Sequence, residues 1–166
     1  WIIVGNGLSR GALEDKAMRL GLDNVRIFPY QPQERVPEVL ATANVSLVLT
    51  RTGIGATSVP SKSLNIMASA RPLIAAVDDD SDLAEIVKTA GCGLVIPPED
   101  PDALLEAVEY AYQHPSECWA WGQAGRVYLM KYLSQTAMVD GYEALFLRLA
   151  HRDRFFGRAV DFLGKG

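Results

Sequence analysis

The residues best suited to chemistry stand between positions 51 and 63. Arg51-Thr52-Gly53-Ile54-Gly55-Ala56-Thr57-Ser58-Val59-Pro60 is a long run of mostly small residues, and it delivers Ser61-Lys62-Ser63 at a helix start. A helix N-terminus carries unpaired N–H groups and about half a positive charge. With Ser61 as N-cap, open N–H groups after it and the Lys62 ammonium beside them, the segment suits an anion, phosphate above all. The order of Gly, Lys and Ser does not match a P-loop. The plain alternative is an ordinary capped helix with a solvated lysine.

Other candidates carry less. Gly5-Asn6-Gly7 begins like a dinucleotide fingerprint, but its third glycine would fall at Arg10 and no acidic residue closes the second strand. A tight strand-to-helix turn is expected there. Asp78-Asp79-Asp80-Ser81-Asp82 offers carboxylates to a hard cation. The same run reads as a solvated loop in which Ser81 caps a helix and Asp82 complements its dipole. The second reading is preferred, and no metal is expected. His114 and His151 stand at no strand end, so neither is expected to be catalytic. No catalytic residue is assigned. Trp119 and Trp121 are expected to pack the late helices. Cys92 and Cys118 are too few and too far apart for a zinc site. They read as reduced, partly buried thiols.

These residues need a scaffold, and the chain alternates to supply one. Five apolar runs read as strands at 1–4, 25–28, 45–50, 72–77 and 93–97. They lack the in-out alternation of a half-exposed strand, as strands buried on both faces do. Helical patterns lie between them at 9–20, 32–43, 61–70 and 81–90, with strands recurring about every 20–25 residues. Gly21 suits a helix C-cap, and Pro101 suits the first position of a helix running to Gln113. This is the pattern of βαβ units: an α/β, Rossmann-like parallel sheet with helices on both faces. From 115 onward two helical stretches, 116–132 and 135–150, follow without a strand. The second gathers Met138, Tyr142, Leu145, Phe146 and Leu149 on one side. Residues 151–166 read as a helix extension fraying into a tail.

Composition agrees with a globular domain. The 166 residues are 49% hydrophobic and 22% charged, close to the usual average. A chain of this length buries roughly 70% of its unfolded surface and needs no staples. No apolar run approaches the ~18–20 residues of a membrane span, and none opens the chain as a secretion signal would. The net charge of −4, with 16 basic against 20 acidic residues, argues against a nucleic-acid partner.

Taken in order, the segments resemble a known family. Ile3-Val4-Gly5-Asn6-Gly7, Asn24-Val25-Arg26-Ile27-Phe28-Pro29-Tyr30 and Val36-Pro37-Glu38-Val39-Leu40-Ala41-Thr42-Ala43-Asn44-Val45-Ser46-Leu47 are similar to the carboxyl-terminal half of group 1 glycosyltransferases of the GT-B fold. Val59-Pro60-Ser61-Lys62-Ser63-Leu64-Asn65-Ile66-Met67-Ala68-Ser69-Ala70-Arg71-Pro72-Leu73-Ile74-Ala75 resembles the branch with Pro-Ser-Lys before Met-Ala. Gly91-Cys92-Gly93-Leu94-Val95-Ile96-Pro97-Pro98-Glu99-Asp100-Pro101-Asp102-Ala103-Leu104 matches the usual end of the nucleotide domain, and the resemblance covers residues 1–148.

The resemblance implies a nucleotide-sugar-binding domain at 1–133, a helix at 134–150 that crosses to an acceptor domain, and a tail at 151–166. It implies donor contacts at Ser61, Lys62, Ser63, Thr57 and Ser58, and packing of Phe28, Pro29 and Tyr30 against the base. The implied reaction is glycosyl transfer with retention from a nucleotide sugar to an acceptor glycan or lipid-linked glycan. That is polysaccharide assembly in the cytoplasm, with the acceptor at the inner face of the membrane. No tightly bound cofactor or metal is implied; the nucleotide sugar is substrate. A nucleotide-sugar 2-epimerase shares the fold, but no histidine stands at a strand end here. A non-catalytic nucleotide-binding or interaction module is the contrasting reading.

The departures are specific. Many members carry two Glu eight positions apart across this loop and helix; Thr57 and Asn65 stand there instead. Ala70 replaces a usual glycine, which is tolerable if its φ stays negative. The acceptor domain and the first βα unit of the nucleotide domain, with its central strand and an Arg and a Lys for the diphosphate, have no counterpart in residues 1–166. The chain on its own is therefore expected to be inactive and, with strand edges open, to self-associate.

Overall fold

The structure, a computed structural model, describes residues 1–53 and 59–163, with side chains up to residue 150. The described chain divides into two compact units, 1–43 and 44–166. In the first, β1 (Ile2–Val4) leads into α1 (Arg10–Arg19) and returns through β2 (Arg26–Phe28). A 3-10 turn at Gln33–Arg35 then enters the short α2 (Val36–Ala41). β1 and β2 pair in parallel, Ile3 opposite Ile27. The end of α1 is a Schellman turn: Gly21 at φ +64 lets its N–H reach the Met18 carbonyl while Leu22 N–H reaches Ala17. No residue of this unit is buried; Ile2 and Ile3 are 59% and 39% exposed.

The second unit holds the core. β3 (Ser46–Leu49), β4 (Leu73–Ala76) and β5 (Gly93–Ile96) form a parallel sheet in that order. α3 (Ser61–Ala68), α4 (Asp82–Ala90), α5 (Pro101–Gln113) and α6 (Pro115–Tyr128) follow the strands. The central strand β4 is buried along its whole length, which is why its sequence shows no alternation. Ile74 packs with Ala107, Ala111 and Cys118 of the late helices, and Leu73 and Ala75 take the other face by the period of two. Ile66, Met67, Leu83 and Val87 are also almost wholly buried. The five strands lie within the ranges expected from sequence. They form two parallel sheets, β1-β2 and β3-β4-β5.

α6 presents Cys118, Gly122 and Gly125 inward. That spacing turns Trp119 outward, 68% exposed, against the expectation that it packs. Trp121 does pack against the core and lies parallel to Tyr110, ring centroids 6.1 Å apart. Cys92 and Cys118 are free and buried, and burial pushes the Cys92 thiol up to about 11. A π turn at Leu129–Leu133 separates α6 from α7 (Gln135–Leu163), which continues past residue 150. Met138, Tyr142, Leu145, Phe146 and Leu149 are all exposed on α7.

Ala70 contradicts its condition. Its φ is +52, because α3 ends in a Schellman turn with Ala70 N–H on the Met67 carbonyl and Arg71 N–H on Ile66. An L side chain in this region costs roughly 1–2 kcal/mol, and glycine does not bear that cost. Ala70→Gly is therefore expected to stabilise the protein by about 1 kcal/mol and raise its Tm by about 2–4 °C. Thermal unfolding followed by circular dichroism checks this; an unchanged or lower Tm would contradict it.

Candidate functional site

In open parallel sheets, ligands sit outside the carboxyl ends of the strands. In the second unit this end gathers the exits of β3, β4 and β5. Thr50 extends the ladder past β3: its N–H and its hydroxyl both donate to the Ala76 carbonyl, at 3.0 and 3.2 Å. One Glu99 carboxylate oxygen, beyond β5, accepts from the Thr52 N–H at 3.2 Å and the Thr52 hydroxyl at 2.9 Å. An Asp78 oxygen, beyond β4, accepts from the Gly53 N–H at 2.9 Å. The hydroxyl and N–H of Thr52 hold the Glu99 carboxyl below the usual carboxylate range, and Arg51 adds to the effect.

Val59 and Pro60 lead into α3, which starts at Ser61. The N-cap is Pro60, extended at φ −60 and ψ 125, and Ser61 is the first helical residue. This corrects the expectation that Ser61 caps: proline is already fixed in the required φ, so the helix begins one residue sooner. No side chain caps the helix start. Ser61 and Lys62 are exposed. Ser63 is fully buried; its hydroxyl donates to the Pro60 carbonyl at 2.6 Å and its N–H to the same atom at 2.9 Å. The third position of the helix faces the core, so Ser63 secures the turn rather than opening to a ligand. Thr57 and Ser58 lie outside the described residues. Asn65 is exposed on α3. What the helix start offers is a partial positive charge, first-turn N–H groups and an exposed lysine, which together suit a phosphate oxyanion.

The acidic run divides its duties as a helix entry does. Ser81 caps α4, accepting from Ala84 N–H at 3.2 Å, with Asp82 and Glu85 in the first turn. Asp79 pairs with Lys88 at 2.5 Å. Among the described residues no three metal-ligating side chains converge. His114 ends α5, its Nδ1 2.8 Å from the Tyr110 carbonyl and its ring stacked on Tyr110. In the first unit, Phe28, Pro29 and Tyr30 stand at the carboxyl end of β2, with Phe28 44% and Tyr30 71% exposed. Sequence reasoning missed the pairing of Glu99 with Thr52, which spans 47 positions. Glu99 stood in a motif noted only as the end of a domain.

Comparison with known proteins places the chain in a family. The chain is 29% identical over 114 residues to the putative colanic acid biosynthesis glycosyl transferase WcaI of Escherichia coli K12, covering 68% of this chain and 28% of that protein. It spans little more than a quarter of that relative's length. Among solved structures, sucrose-phosphate synthase from Thermosynechococcus elongatus matches with a TM-score of 0.68 and 23% identity, over 91% of this chain and 38% of that one. Anabaena HepE in complex with UDP-glucose matches with a TM-score of 0.68 and 16% identity, over 89% and 40%. These two likenesses establish the fold. The family model of glycosyl transferases group 1 matches residues 1–128, and the chain belongs to that family.

Proposed function

We propose that this chain is the donor-binding part of a glycosyltransferase that moves a sugar from a nucleotide sugar to an acceptor glycan or lipid-linked glycan. The observation that carries it is the uncapped start of α3 with exposed Ser61 and Lys62 at the carboxyl end of the sheet. These groups hold the donor diphosphate. Thr57 and Ser58 add hydrogen bonds to the donor, and Phe28, Pro29 and Tyr30 take the base. As the anomeric bond breaks, charge builds on the leaving diphosphate, and Lys62 neutralises it. Transfer proceeds with retention and without a tightly held metal or cofactor. A fold neighbour solved with UDP-glucose and a relative named for colanic acid biosynthesis support a nucleotide-sugar donor and polysaccharide assembly. That assembly takes place in the cytoplasm, with the acceptor at the inner face of the membrane. No helix among the described residues is long and apolar enough to cross a membrane.

Residues 1–133 form the donor domain in this reading. The helix at 134–150 crosses to the acceptor domain, which its exposed apolar side chains support. The exposed apolar residues of β1 support a further strand beside it. Residues 1–166 alone are then expected to self-associate and to transfer no sugar, because positioning the acceptor supplies up to ~7–11 kcal/mol of catalysis. The alternative, a non-catalytic interaction module, draws on Thr57 and Asn65 where the resemblance expects carboxylates. Calorimetric titration of the full-length protein with UDP, GDP and ADP separates the two. Binding of one nucleotide is the expected result; binding of none favours the interaction module.

A further inference from the structure

We propose that Glu99 is a positioning residue for the donor seat: by anchoring Thr52, it fixes the first residues of the segment that leads from β3 to α3. The inference rests on the donor-binding reading above. Glu99 is exposed and stands outside the buried core. Its backbone is nevertheless held at φ +58, a conformation that non-glycine residues keep only where surrounding interactions enforce it. Those interactions are on both sides. Asp100 caps α5 immediately after it, accepting from Asp102 N–H and Ala103 N–H. Its own carboxylate takes both the N–H and the hydroxyl of Thr52. With Thr50 on the Ala76 carbonyl and Gly53 on Asp78, positions 50, 52 and 53 are each tied to β4 or to a neighbouring strand exit.

The consequence follows from chain length. Five residues separate Gly53 from Val59, and Val59 and Pro60 lead directly into the turn that carries Ser61 and Lys62. Thr52 and Gly53 on one border and Pro60, whose carbonyl accepts from Ser63, on the other are held by hydrogen bonds before any ligand arrives. Preorganisation of this kind lowers the cost of binding without adding a contact to the ligand. Glu99 therefore touches no part of the donor and acts through Thr52.

The test is kinetic, in the full-length protein with the nucleotide sugar whose nucleotide binds in titration. Glu99→Ala is expected to raise the donor KM about five- to tenfold, the effect of losing a charge-assisted pair of hydrogen bonds, with a smaller change in kcat. Glu99→Gln keeps an acceptor oxygen and is expected to recover most of the loss. Thr52→Val removes one of the two donors and is expected to give a smaller rise in KM; it also serves if Glu99→Ala does not fold. In the double variant with Lys62→Ala, the effect of Glu99→Ala is expected to shrink, because the seat it prepares has lost its charge. A wild-type KM in Glu99→Ala and Thr52→Val, or full additivity with Lys62→Ala, would overturn the proposal while leaving the donor seat standing. A wild-type kcat/KM in Lys62→Ala alone would overturn the donor seat itself.

Discussion

Replacing Gly93 by alanine is expected to destabilise the protein by at least about 3 kcal/mol, among the largest effects of any single methyl group added to this chain. Gly93 opens β5 and sits opposite Leu73 of the central strand. A Cβ built on it would lie 1.8 Å from the Leu73 carbonyl oxygen and 2.8 Å from its carbonyl carbon. No rotamer relieves this clash, because both partners are backbone. Leu73 is fully buried, so the strand cannot swing away without disturbing the core it anchors. The φ of +155 adds a conformation that L residues rarely adopt. The expected fall in Tm is about 6–12 °C for a domain of this size. Gly7→Ala makes the control: nothing lies within 4 Å of its added Cβ. Equal melting of the two variants would show that β5 approaches β4 less closely than described.

Much of this architecture was legible. β4 reads as a strand buried on both faces because every one of Leu73–Ala76 is apolar, and each is indeed buried. Ser81 and Pro101 announce their helices through local chemistry, and local chemistry survives folding. Conformations imposed from a distance were not legible. Ala70 takes positive φ because α3 stops in a Schellman turn and Arg71 must enter β4 at once; alanine itself signals nothing of the kind. The backbone of α6 presses on that turn: a Cβ on Gly122 would meet the Ala70 carbonyl oxygen at 2.3 Å. The pairing of Glu99 with Thr52 exists only because two crossovers bring β3 and β5 to either side of β4. Spacing along the chain carries no trace of it. Of the candidate site, the lysine at the helix start was readable as a charge at a dipole. The identity of the cap was not, since Ser61 and Pro60 both suit the first turn of a helix and only the observed φ and ψ separate their roles.

Lys62→Ala is expected to lower kcat/KM for the donor in the full-length protein by roughly ten- to a hundredfold, the effect of removing a charge-assisted contact worth about 1.5–3 kcal/mol. Lys62 is the second residue of α3 and is exposed, and no ion pair or side-chain hydrogen bond engages it among the described residues. Alanine is the better helix former, so the fold has no reason to weaken and the far-ultraviolet circular dichroism should be unchanged. The loss should fall more on kcat than on KM. The diphosphate is already charged in the bound donor, but it gains further charge as the sugar leaves, and a fixed ammonium stabilises that increment selectively. Lys62→Arg keeps the charge but spreads it over a planar fork. It should recover part of the rate, and the recovery separates loss of charge from loss of shape. If Lys62→Ala turns over its donor at the wild-type rate, the start of α3 is an ordinary helix end and the diphosphate must be held elsewhere.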